Sequence, residues 1–213
     1  MSSLVFYTDA NNIVVATDTL AVTPTGAPFM FSSKAIYLPH LRTIIAGTGA
    51  GSFAGDWAMY VNNRMILEGI ENLNYHAAEG LKARWDEFKL RPEVPEDMTT
   101  TVYHFGFSED NAVTAFAYRS TNRFASERLP KGFGIKPPSA VPEGDAILSI
   151  LEQIVRKQRV EQDALPPGAR IYIGGAVYCI HLTCDECKTV KLFDFDDQEA
   201  HQISMNARHA RGE

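Results

Sequence analysis

Two short apolar runs near the start of the chain, residues 4–7 and 13–16, are separated by a polar segment. Their β-branched and aromatic residues are typical of strands. The intervening Asp-Ala-Asn-Asn segment is typical of a tight turn, because Asp and Asn tolerate left-handed backbone geometry. The pattern therefore predicts a β-hairpin. A short turn would place Asp18 or Thr19 opposite Ser2, so that these residues meet at the open end of the hairpin.

A loop and two further strands are expected after the hairpin. The loop contains Pro24 and Pro28, which interrupt regular pairing. Apolar and β-branched residues then predict strands at about residues 34–38 and 42–46. The second strand leads into the glycine-rich segment 47–51, which indicates a strand-to-helix turn.

Two amphipathic helices follow this turn. Ser52 is a suitable N-cap for the first, because its side chain can accept a hydrogen bond from a free backbone N–H. Apolar residues then recur at the spacing of a helix face. The predicted apolar positions are Phe53, Trp57, Tyr60, Val61 and Met65 in the first helix, and Ala77, Ala78, Leu81, Trp85 and Phe88 in the second.

The second half of the chain predicts strands, one helix and a closing hairpin. The polar tail after Ser204 predicts a frayed end. Strands are expected at about residues 99–107, 112–118 and 125–129, a helix over 144–160 with Ile147, Leu148, Leu151, Ile154 and Val155 on its buried side, and the hairpin from 171–182 and 188–195. This order is typical of an α+β protein, and we expect an αββα four-layer sandwich of two antiparallel sheets flanked by helices.

Composition and charge exclude several classes of function. At 213 residues, 45% of them hydrophobic, the chain is long and apolar enough for a single domain over residues 1–213. A net charge of −6 without long runs of one sign argues against a nucleic-acid partner. No stretch approaches the roughly 20 apolar residues that cross a bilayer, so no membrane partner is expected. Three cysteines do not make a disulfide framework, and with no signal-peptide pattern we expect a cytoplasmic protein.

Ser2 has a chemical property that its neighbours lack. Methionine aminopeptidase generally removes Met1 when the next residue is small, which would leave Ser2 with a free α-amine. Such an amine has a pKa of about 7.7–8.0, so it can accept the proton of the Ser2 hydroxyl near neutral pH. One residue would then supply both the nucleophile and the general base.

Ser2, Asp18 and Lys34 follow one another at equal intervals of sixteen residues, and the pair Ala46-Gly47 ends the next predicted strand. This pattern resembles the start of proteasome β-subunits and HslV-type bacterial peptidases, which are N-terminal nucleophile (Ntn) hydrolases. The resemblance extends through both predicted helices and is only topological beyond them. It implies the αββα fold, a peptide or amide substrate and a ring-like homo-oligomer, and it leaves open whether an ATPase or another regulator binds.

The resemblance also implies roles for individual residues. Ser2 would attack a carbonyl carbon. Lys34, paired with Asp18, would supply positive charge beside the nucleophile and favour its activated form. The backbone N–H of Gly47 would face the developing oxyanion. No cofactor or metal is implied.

Two departures from the family pattern keep other functions open. The family has an Asp and a Ser shortly before a late Gly-Gly pair, but residues 170–173, before Gly174-Gly175, contain neither. The serine of the turn before the third helix is also missing from the segment 131–134. These polar groups orient the nucleophile's amine, and their loss affects activity more than fold. A catalytically inactive subunit with a structural or assembly role, or a small-molecule amidase on the same scaffold, are the alternatives.

A zinc site is a further alternative. Cys184 and Cys187 have the spacing of metal ligands, and Cys179 and His181 lie on one face of the preceding predicted strand. A zinc site built in a single hairpin would lack the usual separate second pair of ligands. We therefore expect a buried Cys179 and two thiols beside the hairpin turn, without a metal.

Overall fold

The computed structural model describes residues 2–23, 25–64 and 68–210. Three residues that the sequence analysis names lie outside the described residues: Met1, Pro24 and Met65. Met1 precedes Ser2, Pro24 belongs to the predicted loop, and Met65 is a predicted apolar position of the first helix. The description of the fold therefore begins at Ser2.

Strands and helices occur in blocks within the described residues. The strands are β1 Leu4–Thr8, β2 Ile13–Asp18, β3 Leu20–Val22, β4 Pro28–Phe31, β5 Ala35–Leu38, β6 Thr43–Gly49, β7 Thr100–Phe107, β8 Val113–Arg119, β9 Ser126–Arg128, β10 Gly132–Lys136, β11 Ala176–Leu182 and β12 Cys187–Asp194. The helices are α1 Phe53–Arg64, α2 Ile70–Lys89, α3 Ile147–Asp163 and α4 Gln198–Ala210. The strands pair antiparallel, so the protein is α+β with antiparallel sheets, as predicted.

The first five-stranded sheet has the order β10-β1-β2-β11-β12. The predicted hairpin forms its centre, and Leu4 pairs with Thr17 on one side and with Lys136 on the other. Asp9 fixes the hairpin turn, because its carboxylate accepts hydrogen bonds of 2.8 Å from the backbone N–H groups of Asn11 and Asn12. This register leaves the end of β2 at the open end of the hairpin.

The second five-stranded sheet has the order β5-β6-β7-β8-β9, and β3 pairs with β4 in a separate hairpin. Ala35 pairs with Ala46, and Gly47 pairs with Val102 of β7. Lys34 immediately precedes β5. The second sheet therefore delivers Lys34, while the first delivers Asp18.

Apolar residues form three buried clusters. The first joins α1 and α2 to the second sheet and contains the fully buried Trp57. The second joins residues of the two sheets, such as Phe6 and Phe105. The third joins α3 to the first sheet and contains Leu151 and Val155. Each five-stranded sheet therefore has buried apolar residues on both of its faces. Within the described residues, no helix is long and apolar enough to cross a membrane.

Several elements differ from the predicted pattern. The segment around Pro28, predicted as a loop, contributes β4, and the turn predicted at 131–134 belongs to β10. The frayed end predicted after Ser204 was wrong, because α4 continues to Ala210 and buries Met205. The strand predicted from residue 171 begins only at Ala176. Gly175 has a φ of +74°, which lies outside extended geometry and so delays the strand.

The predicted buried side of the third helix needs one correction. Leu148 is 40% exposed, whereas Ile150 and Gln158 are buried. The helix begins at Ile147, three residues after the predicted start, and its buried stripe consists of Ile150, Leu151, Ile154, Val155 and Gln158. Gln158 is the polar residue on this otherwise apolar stripe, and it contacts Ser3 near the open end of the hairpin.

Candidate active site

Asp18 is the centre of a polar cluster at the end of β2. Its side chain is fully buried, and three donors from distant parts of the chain contact it. Oδ1 accepts the Ser3 N–H at 3.0 Å and the Lys34 Nζ at 2.8 Å, while Oδ2 accepts the Gly174 N–H at 3.1 Å. A buried carboxylate is stable only when its oxygens are paired in this way. The structure thus brings two of the four predicted site residues, Asp18 and Lys34, into direct contact.

Lys34 is held by two acceptors. Besides Asp18, its Nζ donates to the Leu20 carbonyl oxygen at 2.7 Å, and only 6% of its side chain is exposed. Burial lowers the pKa of Lys34 from its ordinary 10.5, and the adjacent Asp18 carboxylate opposes that shift. An ammonium has three donors, so one N–H remains to face a further group. Lys34 can therefore act as a fixed positive charge with one free direction.

Ser2 lies at the start of the described chain, at the open end of the hairpin, and is only 7% exposed. Continuing the register of β1 and β2 by two residues sets Ser2 opposite Thr19. The backbone between Ser2 and Ser3 is fixed by the Ser3 N–H, which donates to the same Asp18 oxygen that binds Lys34. The predicted nucleophile is therefore one residue away from the ion pair.

Gly47 lies in β6, and two contacts define its place. Its N–H donates to the Lys34 carbonyl oxygen at 3.2 Å, so an oxyanion could use this donor only by displacing that bond. A Cβ at this position would lie 2.2 Å from the Ala54 Cβ of α1. Close packing of α1 on β6 therefore requires glycine here, whatever its role in chemistry.

Gly174 contributes two backbone groups to the cluster. Its N–H contacts Asp18, and its carbonyl oxygen accepts the N–H groups of Thr19 and Leu20 at 3.3 and 3.1 Å. The preceding Ile173 carbonyl accepts a hydrogen bond from Arg159 of α3. Backbone groups from this segment therefore hold Asp18 in place, although the Asp and Ser of the family pattern are absent from residues 170–173.

Two further residues belong to the cluster and were not predicted. Ser3 is fully buried, and its Oγ donates to Gln158 Oε1 at 2.5 Å. The Gln158 amide in turn donates to the Pro137 carbonyl at 2.5 Å, which ties α3 to both β1 and the end of β10. The one signal in the sequence was Gln158 on the apolar face of the predicted third helix. A buried amide needs polar partners, so its position indicates a polar contact inside the protein.

A cavity of about 400 Å³ opens beside the cluster. Thr17 and Thr19 flank Asp18 in sequence and line it, as do Ser33 and Ala35, which flank Lys34. Tyr178 and Ile180 of β11 add apolar wall. A mostly apolar cavity with several hydroxyl groups, next to a buried ion pair, has the properties of a small binding site.

The alternative zinc site is not assembled. Cys179 is fully buried, and burial raises the pKa of its thiol to about 12. His181 Nε2 lies 2.9 Å from Oδ1 of Asn12, which directly precedes the neighbouring strand β2, while Cys184 is exposed. Within residues 2–23, 25–64 and 68–210, no group of three or more His, Cys, Asp or Glu residues could hold a metal ion.

Comparison with known proteins gives a structural likeness without a sequence match. No family model and no curated protein matches the chain. The fold is similar to the solved structure of Anbu (ancestral beta-subunit) from Yersinia bercovieri, with a TM-score of 0.59 and 10% sequence identity, over 99% of this chain and 93% of that chain. The protein has a proteasome-like fold. At this identity, the likeness establishes the fold and nothing finer.

The family assignment suggested by the sequence is therefore corrected. The chain was expected to belong with proteasome β-subunits and HslV-type peptidases, and that prediction is wrong as a family assignment, because no family model matches the chain and a solved structure of 10% identity shows the fold alone. What the structure shows of the predicted pattern is the contact between Asp18 and Lys34. Any activity has to be argued from the site itself.

Proposed function

We propose that the protein hydrolyses amide or peptide bonds through the hydroxyl of Ser2, after the peptide bond before Ser2 has been cleaved. One observation carries the proposal: a single oxygen, Asp18 Oδ1, accepts hydrogen bonds from both the Ser3 N–H and the Lys34 ammonium. The residue that follows the proposed nucleophile and the Lys34 ammonium are thus held by one buried acceptor. This arrangement fixes the nucleophile relative to its activating group before any substrate binds.

The chemistry follows from these groups. The free α-amine of Ser2 takes the hydroxyl proton, and Oγ forms a bond to the carbonyl carbon of the substrate. The C–N bond then breaks, the amine leaves with the proton, and water hydrolyses the Ser2 ester through the same α-amine as base. Lys34 lowers the energy of the negative oxygen on Ser2, because its positive charge is held in a buried site. The Gly47 N–H breaks its hydrogen bond to the Lys34 carbonyl oxygen and then donates to the oxyanion.

A second candidate, an inactive subunit with a structural or assembly role, is favoured by a specific observation. The Gly47 N–H already has a backbone acceptor, and residues 170–173 contain neither the Asp nor the Ser that orients the amine in the family pattern. A missing oxyanion donor of this kind costs about 2.7–4 kcal/mol of transition-state stabilisation. The two candidates differ in activity and not in fold, so kinetics separates them.

The proposal also covers the layer architecture, the oligomeric state and the cellular compartment of the protein. The three apolar clusters support an αββα stack of four layers in a single domain over residues 1–213. Phe29 and Met30 of β4 are 58% and 45% exposed, which supports a closed homo-oligomer that covers this hairpin. Three free cysteines suit a reducing cytoplasm. The cavity of about 400 Å³ suits a small amide as well as a peptide side chain.

Intact-mass measurement and kinetics test the proposal together. We expect the protein from its native host to begin at Ser2 and to hydrolyse a fluorogenic peptide or amide. Ser2→Ala should abolish this hydrolysis. Ser3→Ala is the matched control, since it removes a neighbouring hydroxyl that donates to Gln158, and it should retain activity. Equal rates for wild type and Ser2→Ala, or an N-terminus that precedes Ser2, would leave the inactive subunit as the better account.

A further inference from the structure

A second cavity, of about 410 Å³, lies between the sheets on the β10 side of the hairpin. Its walls are largely apolar and aromatic, with Phe6 and Tyr103 contributing rings whose centroids are 6.1 Å apart. Two cationic side chains, Lys136 and Arg119, also line it. The catalytic proposal uses neither of them.

The two cations differ in how they are neutralised. Arg119 is ion-paired with Glu127 at the surface. Lys136 donates to the Thr101 hydroxyl at 3.1 Å, and among the residues that the structure describes no carboxylate is ion-paired with it. Burial, and secondly the charge of Arg119, lowers the pKa of Lys136 from its ordinary 10.5. A half-buried ammonium with one neutral acceptor therefore has two donors and a positive charge available to the cavity.

The cavity is close to the predicted nucleophile. Lys136 pairs with Leu4, which also lines the cavity, and Ser2 precedes Leu4 by two residues. Two residues of extended chain span at most about 7 Å, so Ser2 lies within that distance of the Leu4 backbone. A molecule whose carbonyl meets Ser2 could thus extend into this cavity.

We propose that this cavity binds the carboxylate of a substrate with an apolar body, the carboxylate pairing with Lys136 and the body packing against Phe6 and Tyr103. That the bound molecule is a substrate rests on the proposed function, whereas the binding itself rests on the cavity alone. It assigns the hydrolase to amides or peptides that carry negative charge near the cleaved bond. A carboxylate supplies the missing partner of Lys136, and a charge-assisted hydrogen bond in a largely apolar cavity is stronger than a neutral one.

Binding to Ser2→Ala protein tests the inference without requiring catalysis. The probes are 3-phenylpropanoate and its neutral analogue 3-phenylpropanamide, titrated by calorimetry. We expect the carboxylate to bind at least tenfold more tightly than the amide, and its affinity to fall as salt is added. Lys136→Met should remove the preference and Lys136→Arg should retain it. Lys131→Met, which removes an exposed lysine just before the same strand, should have no effect.

The outcomes separate this inference from the proposed function. Equal affinities for the two probes, no saturable binding of either, or an unchanged preference in a folded Lys136→Met protein would overturn it. Should Lys136→Met fail to fold, Lys136→Arg and the salt dependence decide the question in the same way. A carboxylate preference without any hydrolysis by wild type would overturn the proposed function and support the binding site.

Discussion

Replacing Asp18 by Asn perturbs the cluster on which the account depends. The substitution preserves the size of the side chain but removes the charge and turns one of its two acceptor oxygens into a donor. Lys34, with 6% of its side chain exposed, would then keep its charge without an anionic partner. Removing one partner of a buried pair typically costs about 3–5 kcal/mol. We expect a loss of that size in the free energy of unfolding at pH 7.

The assay is equilibrium unfolding in urea at one fixed protein concentration, followed by circular dichroism. The loss should shrink as the pH rises toward 10.5. Burial already lowers the pKa of Lys34 in wild type, where the Asp18 carboxylate opposes the shift, so loss of that carboxylate should lower the pKa further. Rising pH then stabilises the folded variant more than it stabilises folded wild type. Asp18→Asn combined with Lys34→Met should recover part of the loss, because no buried charge remains unpaired. Glu152→Gln breaks an exposed pair with Arg156 and should cost less than about 1 kcal/mol.

Two results would refute this reasoning. A loss below about 1 kcal/mol for Asp18→Asn would mean that the pair is screened like a surface pair. A double variant no more stable than Asp18→Asn would mean that the unpaired ammonium is not the source of the cost.

Three other predictions concern packing, a polar bridge and acid stability. Gly47→Ala should lower the free energy of unfolding in urea by about 1–3 kcal/mol, because the new Cβ overlaps Ala54. An added Ala54→Gly should restore part of that loss. A Gly47→Ala protein as stable as wild type would contradict the close packing of α1 on β6. Gln158→Leu should cost about 1–3 kcal/mol in the same assay, since it leaves the Ser3 hydroxyl unpaired, and a neutral effect would contradict the bridge. Burial lowers the pKa of His104 from 6.5 to about 3, so the folded state resists a proton that the unfolded chain binds. Between pH 6.5 and 3, the free energy of unfolding of wild type should therefore fall with decreasing pH by about 1.4 kcal/mol per pH unit more than that of His104→Gln. The same pH dependence in both proteins would contradict this.

The sequence predicts well where local pattern and local structure agree. The opening hairpin has two short apolar strands and a turn rich in Asp and Asn, and its register places Asp18 at the open end. The helices α1 and α2 carry apolar residues at helical spacing, a glycine-rich segment precedes α1, and both helices occur as expected. Lys34 contacts Asp18 because the end of β2 in the first sheet lies beside the start of β5 in the second.

Other elements depend on contacts between distant residues. β10 contains Gly132 and Gly134, which argue locally for a turn, but a Cβ at position 134 would lie 2.0 Å from the Phe6 ring. The glycine therefore makes room for an aromatic side chain of the neighbouring strand. α4 is mostly polar and exposed, so its periodicity is weak, and only Met205 is buried.

The polar part of the site shows the same dependence on distant contacts. Gln158 and Ser3 are 155 residues apart in the chain, and nothing near either residue indicates their hydrogen bond. The contact of the Gly174 N–H with Asp18 is a backbone interaction, which the identities of neighbouring side chains do not encode. Sequence reasoning therefore located the candidate nucleophile and the ion pair but missed the groups that hold them.

Covalent labelling of Ser2 tests the central claim most directly. A β-lactone acylates a nucleophilic hydroxyl, and peptide mapping by mass spectrometry locates the acyl group. On protein that begins at Ser2, the account predicts one acyl group on the Ser2 hydroxyl, which is absent from Ser2→Ala and from protein that retains Met1, and which persists in Ser3→Ala. An acyl group elsewhere, or no labelling of protein that begins at Ser2, would contradict the claim that Ser2 is the nucleophile.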